Sequence, residues 1–343
     1  MSTQEKRTVI ERLSEQVWIT VRDMYAPTEH FSPPPPLGQL AKRFGVRRIR
    51  FEPLWSSAGL TRVEDGFEIV INTESPGVTQ KETDVLETDS ETAFELHPSL
   101  RFTIAHEVAH VLFLKAAGGR RGDVFVRHAD AVENACNIVA RILLLPKQLL
   151  LTEIKGRLLD LERMRSLIGA FRVSPEVFIR RMHLSDLRGE IKDQDGLILL
   201  AAEKDGLIVV EACHALGPRA LDRFEGALRV GSDKPPITTA HASLSRSYRQ
   251  TKFKLEKRPL RDLDLGIDVD TLLRAGKSGA KLLNVLWRPD GREVLPCNLV
   301  YHCLRDEPLT FLIAIKVIDE LRLVGQESLG LESGAEPQAE AGS

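Results

Sequence analysis

The segment that most constrains this chain is an apolar run over residues 102–114, interrupted by two histidines and one glutamate in the order H-E-x-x-H. His106 and His110 stand four residues apart, so on a helix their imidazoles lie on one face and can reach a single cation. Glu107 is turned about 100° round the helix from His106. From there it can deprotonate a water at the cation more readily than it can act as a third ligand. The pattern predicts a metal-bearing helix with a general base.

A buried helix whose histidines are only hydrogen-bonded is the alternative interpretation. The neighbouring side chains Ile104, Val108 and Val111 do have the character of a hydrophobic core. However, two imidazoles and a carboxylate in one turn of an apolar helix cost free energy unless they are paired or bound to a metal. This cost favours the metal site.

A catalytic zinc usually takes three protein ligands and leaves one position open, so a further ligand is needed. Glu133 begins a second helical pattern that Pro146 ends, and Asn137 shares its face one turn later. From spacing alone, Glu133 is either the third ligand or a solvated acid at the start of a helix. We expect Asn137 to hold the Glu133 carboxylate as an outer partner. An adjacent apolar stripe contains Val132, Cys136, Val139 and Leu143.

Residues 101–110 and 133–146 together resemble the ImmA/IrrE family of bacterial metallopeptidases. The resemblance spans roughly residues 37–184 and implies that His106, His110 and Glu133 are the metal ligands. It also implies that Glu107 is the catalytic base. The family usually carries glycine where this chain has Ala109, a small-for-small difference that should leave the ligands undisturbed.

The same resemblance implies an activity and a substrate class. Members of the family are intracellular, site-specific endopeptidases that cut helix-turn-helix transcriptional repressors and so release stress-response or mobile-element genes. Zn²⁺ is favoured by the ligand types, and Mn²⁺ or Fe²⁺ can take its place because metal availability also selects the ion. The competing hypothesis is a non-catalytic transcriptional regulator that binds a repressor or DNA and has kept a structural metal.

Composition narrows the class of protein further. A net charge of −2 argues against a chain whose main task is to grip nucleic acid. We find no apolar stretch long enough to cross a membrane and no signal peptide, so we expect a cytoplasmic protein without membrane partners. Four scattered cysteines are consistent with reduced thiols in that compartment.

The predicted fold class is α+β, with a zincin-like metallopeptidase domain followed by helical and α+β segments. The expected parts are an N-terminal helix and proline linker at 1–36, the zincin-like domain at 37–150, a helix-turn-helix-like segment at 151–190, a C-terminal α+β sensor-like domain at 195–324 and a disordered tail at 326–343. The resemblance implies the GAF type for the sensor-like domain.

Within the first parts we predict a helix over 5–24 and strands over 47–51 and 67–72. The acidic stretch 74–95 is interpreted as a solvated loop, with a gate or a steering surface for basic substrate segments as the alternative. His128 is an exposed loop histidine or, alternatively, a donor that stabilises the oxyanion.

The C-terminal half changes its pattern. Helices are predicted over 161–171 and from Ser174, and they form a pair with Arg180 and Arg181 exposed. We expect this pair to pack on the peptidase domain; the alternative is that it reads DNA. A mainly antiparallel sheet is then expected, with four strands at 197–202, 207–213, 293–301 and 309–317. A second metal site is a further possibility, built from Cys213, His214, Cys297, His302 and Cys303, although the spacing lacks C-x-x-C pairs.

Overall fold

The structure is a computed structural model that describes residues 12–21, 32–75, 78, 86–87, 96–118, 129–154, 160–182, 187, 196–216, 259–260, 268–276, 278–286, 294–306 and 309–317. The helices are α1 (12–21), α2 (Leu37–Arg43), α3 (Pro98–Ala116), α4 (Ala129–Leu144), α5 (Lys147–Ile154), α6 (Leu161–Phe171), α7 (Pro175–Met182) and α8 (Val269–Ala275). The strands are β1 (Val46–Glu52), β2 (Ala58–Val63), β3 (Gly66–Asn72), β4 (Leu86–Glu87), β5 (Gly196–Lys204), β6 (Leu207–Leu216), β7 (Ser278–Leu286), β8 (Val294–Asp306) and β9 (Leu309–Val317). The chain is therefore a mixed α+β protein, as predicted.

The first sheet has the strand order β2-β3-β1-β4, with β3 parallel to β1 and antiparallel to β2. The Asp65-Gly66 turn joins β2 to β3. Gly66 has a φ of +154°, and a Cβ there would lie 2.3 Å from the carbonyl oxygen of Gly45, so the close approach of these two backbones requires glycine. The predictions of β1 and β3 are confirmed, whereas β2 was missed.

Helices α3 and α4, which carry the predicted metal ligands, pack against each other, and α3 also packs on β2 and β3. Pro98 occupies the first position of α3, where its missing N–H costs nothing, and His97 accepts a bond from the backbone N–H of Ser99. Because α3 is apolar on nearly all sides, it lies in the interior. Buried Arg101 donates to the carbonyl of Pro35, which ties the proline segment to this helix.

Helix α6 has the predicted bounds, and α7 begins as predicted directly after Ser174. Asp160 caps α6 and Ser174 caps α7. The expectation that both arginines of α7 are exposed was wrong. Arg181 is fully buried, and its Nε donates to the carbonyl of Leu145, directly after α4, at 2.8 Å. Arg180 pairs with Glu176 and donates to the carbonyl of Glu211 on β6. The second helix of the pair therefore packs between α4 and the C-terminal sheet.

The second sheet is fully antiparallel, with the order β6-β5-β9-β8-β7. Its first hairpin closes through Asp205 and Gly206, which have φ of 51° and 77° as a two-residue turn with two positive φ values requires. The four predicted strands are confirmed, while β7 and α8 were missed. The sensor-like, GAF-type assignment of this region stays a prediction.

The second metal site considered from the sequence was wrong. Cys213 lies on β6, whereas Cys297 and Cys303 lie on β8, and β5 and β9 run between them. Three strand spacings, about 14 Å, separate Cys213 on β6 from the two cysteines on β8. They cannot share one cation in this sheet.

Two hydrophobic cores meet at the second sheet. Alternate residues of β5 face opposite ways, so Ile198 and Leu200 join the core of helices α1–α7 and the first sheet, while Leu197 and Leu199 join a smaller core with α8. No single helix in the described ranges has the length and apolar character to cross a membrane, although α4 and α5, bent by 49°, pass that test as a pair. The buried sides of both helices contribute to the larger core.

Several predictions concern residues outside those that the structure describes. These are most of the acidic stretch 74–95, His128 and the tail 326–343. The domain boundaries also stay predictions.

Candidate metal centre

Helix α3 places the two predicted histidines of the site side by side. Nε2 of His106 lies 3.1 Å from Nε2 of His110, and the ring centroids are 4.8 Å apart with the planes at 74°. This is the outcome of their four-residue spacing on a helix. Both rings are mostly buried, with 16% and 20% of their side-chain surface exposed. Two nitrogen atoms therefore converge on one point at the protein surface.

Helix α4 brings the carboxylate of Glu133 to the same point. Its Oε2 lies 3.1 Å from Nε2 of His106 and its Oε1 lies 3.2 Å from Nε2 of His110. One carboxylate thus spans both imidazoles, although 53% of the Glu133 side chain is exposed. The exposure leaves this side of the cluster open to solvent. Two imidazole nitrogens and a carboxylate in contact are the donor set that zinc uses in catalytic sites, so these residues fit a divalent cation.

The other ring nitrogens also have partners on α4. Oδ1 of Asn137 lies 3.1 Å from Nδ1 of His106, and Sγ of Cys136 lies 3.4 Å from Nδ1 of His110. The expectation that Asn137 holds the Glu133 carboxylate was wrong, because its amide oxygen contacts an imidazole instead. The contact of Cys136 with His110 was missed. Its position three residues after Glu133, on the inward stripe, was the available signal.

Glu107 lies on the buried side of α3, with 8% of its surface exposed. One carboxylate oxygen of Glu107 and one ring nitrogen from each of His106 and His110 lie within 4.8 Å of one another. Burial, with the charge of Glu133 added, raises the pKa of Glu107 to about 7. Of the two carboxylates, Glu133 is the one that contacts both Nε2 atoms, and Glu107 stands beside them in a drier environment.

Burial also sets the protonation of the neighbouring groups. It lowers the pKa of His110, and the nearby His106 imidazole adds to this effect, so the neutral ring that a cation requires is favoured. Burial likewise raises the pKa of the Cys136 thiol well above its ordinary value, and the charge of Glu133 acts in the same direction. Cys136 is therefore a thiol at neutral pH.

Comparison with known protein families gives a match for the part of the chain that contains α3 and α4. Residues 97–183 match the Peptidase M78 family, described as the IrrE N-terminal-like domain. Residues 97–183 form an IrrE-like segment. The resemblance to the ImmA/IrrE family is thereby confirmed. The IrrE-like segment contains the H-E-x-x-H residues of α3 together with Glu133, Cys136 and Asn137 of α4. The matched family is one of peptidases, and the match suggests a metal-dependent protease.

Comparison over the whole chain adds a distant structural similarity. No curated protein matches the chain. Among solved structures, a Mycobacterium tuberculosis transcriptional regulator is similar at 13% sequence identity, over 95% of this chain and 84% of that chain, with a TM-score of 0.45. At that level the similarity implies nothing about the activity of this chain.

Proposed function

We propose that the protein is a metal-dependent, site-specific endopeptidase. The observation that carries this proposal is the contact of one carboxylate with two imidazoles, with a second, buried carboxylate beside them. Glu133, His106 and His110 hold the cation, and Glu107 is left for proton transfer. The geometry supports this division of roles, since Glu133 is the one of the two carboxylates that touches both Nε2 atoms.

Zn²⁺ is the cation that the donor set favours, and Mn²⁺ or Fe²⁺ can replace it. When bound, the cation supplies a Lewis acid that polarises a carbonyl and makes water more acidic. The imidazoles supply neutral nitrogen ligands, as the lowered pKa of His110 favours. The half-exposed Glu133 side chain marks the side from which a substrate reaches this centre.

Glu107 carries the proton between the two halves of the reaction. Its carboxylate accepts a proton from the attacking water, whose oxygen bonds to the carbonyl carbon of the scissile peptide. The C–N bond then breaks, and the same carboxyl returns the proton to the leaving amine nitrogen. A group buried beside the ligands suits this role because bulk water does not compete for its proton.

A protein segment is the substrate that the surroundings fit. Strand β2 lies at the edge of the first sheet and has β3 as its one partner among the described strands. The backbone groups on its other side can therefore pair with an extended peptide. Helix α3 packs on β2, which puts this edge against the helix that carries the H-E-x-x-H residues. From the family resemblance, we propose a helix-turn-helix repressor as the substrate, in a stress-response or mobile-element circuit.

The test is cleavage of a purified helix-turn-helix repressor, first the one encoded beside this chain where there is one, by the Zn²⁺-loaded protein. Intact-mass spectrometry should show two fragments whose masses sum to the mass of the intact repressor plus one water, as hydrolysis of one peptide bond requires. Glu107→Gln should keep the metal content of the wild type and lose cleavage. Glu162→Gln is the matched control, since Glu162 is an exposed residue of α6 that pairs with Arg165.

A non-catalytic regulator gives a different result. In that case the wild-type protein binds its repressor or DNA without cutting, and Glu107→Gln changes nothing. Cleavage that persists at the wild-type rate in Glu107→Gln would contradict the role of Glu107 as the base.

A further inference from the structure

One turn of α4 contacts both imidazoles on both of their nitrogen atoms. Glu133 meets the two Nε2 atoms, Asn137 meets Nδ1 of His106, and Cys136 meets Nδ1 of His110. The three α4 residues stand at i, i+3 and i+4, which places them on one side of the helix. Besides the proposed ligand Glu133, this turn therefore supplies a partner for the Nδ1 atom of each imidazole.

The Nδ1 contacts have a definite chemical meaning once a cation occupies the Nε2 side. A neutral imidazole carries one proton, so a ring that gives its Nε2 lone pair to a metal carries that proton on Nδ1. The Nδ1–H of His106 has the amide oxygen of Asn137 as its acceptor. For His110 the atom in that position is the sulfur of Cys136, at 3.4 Å.

We propose that Cys136 is a positioning residue for the metal centre. Its sulfur accepts a hydrogen bond from Nδ1–H of His110 and so fixes the tautomer and the ring orientation that direct Nε2 to the cation. Cys136 is fully buried, so water does not compete for this bond. The sulfur lies on the Nδ1 side of the His110 ring and Glu133 on the Nε2 side, so the ring stands between the thiol and the proposed position of the cation. The inference rests on the proposed metal centre.

Two variants of α4 separate this role from simple packing. Cys136→Ala removes the acceptor, and Val139→Ala removes a comparable amount of buried apolar surface from the same stripe one turn later. Each full-length variant is compared with the wild type for its Zn²⁺ dissociation constant, by competition with a chelator, and for the absorption bands of the Co²⁺-loaded protein. Urea unfolding measures the loss of stability in each.

The expected result is weaker Zn²⁺ binding in Cys136→Ala by about 10-fold, the lower end of what loss of an outer partner costs, together with shifted Co²⁺ bands. Val139→Ala should keep the wild-type affinity and spectrum while it loses stability. Unchanged affinity and spectrum in Cys136→Ala would overturn the inference, as would equal weakening in both variants.

The outcome for the wild type keeps the two proposals apart. If the wild type binds Zn²⁺ and cleaves while Cys136→Ala matches it in affinity and spectrum, the positioning role alone is refuted. If the wild type binds no Zn²⁺, the proposed function and this inference are both refuted.

Discussion

Oε2 of Glu133 lies 3.1 Å from Nε2 of His106, although 27 positions separate the two residues in the sequence. The contact depends on the packing of α3 against α4, and it brings an acid from one helix to the imidazoles of the other. Because Glu133 also reaches His110, its loss should affect both rings. The pair is therefore the tertiary contact that completes the candidate metal centre.

Glu133→Ala should weaken Zn²⁺ binding by more than about 100-fold, since loss of an outer partner alone costs 10–100-fold. Isothermal titration calorimetry on the metal-free protein measures this change. Glu162→Ala, at an exposed position of α6, should bind Zn²⁺ as the wild type does. Wild-type affinity in Glu133→Ala would remove this residue from the ligand set.

Arg181→Ala should destabilise the fold by about 2–4 kcal/mol, because it leaves a cavity and takes a donor from the buried carbonyl of Leu145. Chemical denaturation measures the free energy of unfolding. Arg165→Ala removes a surface arginine of α6 and should change that free energy by no more than about 0.5 kcal/mol. Equal stabilities of the two variants would show that the buried arginine adds nothing.

Gly66→Ala should cost about 1–3 kcal/mol, because φ is +154° and the new Cβ would meet the carbonyl of Gly45 at 2.3 Å. Gly59 on β2 is the matched control. A Cβ there has no atom within 4 Å, so Gly59→Ala should be neutral or slightly stabilising. Thermal unfolding of both variants gives the comparison, and a Gly66→Ala protein as stable as Gly59→Ala would contradict the close approach.

The stabilisation by Asp268, at the start of α8, should depend on pH. Its carboxylate accepts bonds from the hydroxyl and the backbone N–H of Thr271, and these hold the pKa of Asp268 below its ordinary value of 3.8. A lowered folded-state pKa means that the stabilisation is fully present above the unfolded value and is lost as the pH falls through the folded one. Asp268→Ala should therefore have a lower Tm than the wild type at neutral pH, and the gap should narrow as the pH falls below the ordinary value of 3.8. A gap independent of pH would show that the charged carboxylate is not involved.

Local signals in the sequence predicted the elements whose stability is local. Helix α6 was predicted with its bounds because Leu161, Met164 and Leu167 recur at helical spacing, and the structure adds Asp160 as its cap. The strands on either side of Asp205 and Gly206 were also predicted, and the structure joins them by this pair at two positive φ values. The four-residue spacing of His106 and His110 likewise predicted their side-by-side placement.

Features that depend on distant partners were missed or misjudged. Strand β2 forms because the turn at Gly66 folds it onto β3, and its short alternating pattern is weak alone. Arg181 resembles a surface arginine until Leu145, 36 positions away, supplies a buried carbonyl. Cys136 has the character of an ordinary apolar residue in a helix stripe, and only the packing of α3 on α4 brings His110 to its sulfur.

The central claim is that one cation binds between the two imidazoles and the Glu133 carboxylate. The most direct measurement is an anomalous difference map at the zinc absorption edge from crystals of the Zn²⁺-loaded protein. The account predicts a single strong peak within bonding distance of Nε2 of His106, Nε2 of His110 and a carboxylate oxygen of Glu133. A peak elsewhere, or none at this position in zinc-replete crystals, would contradict it.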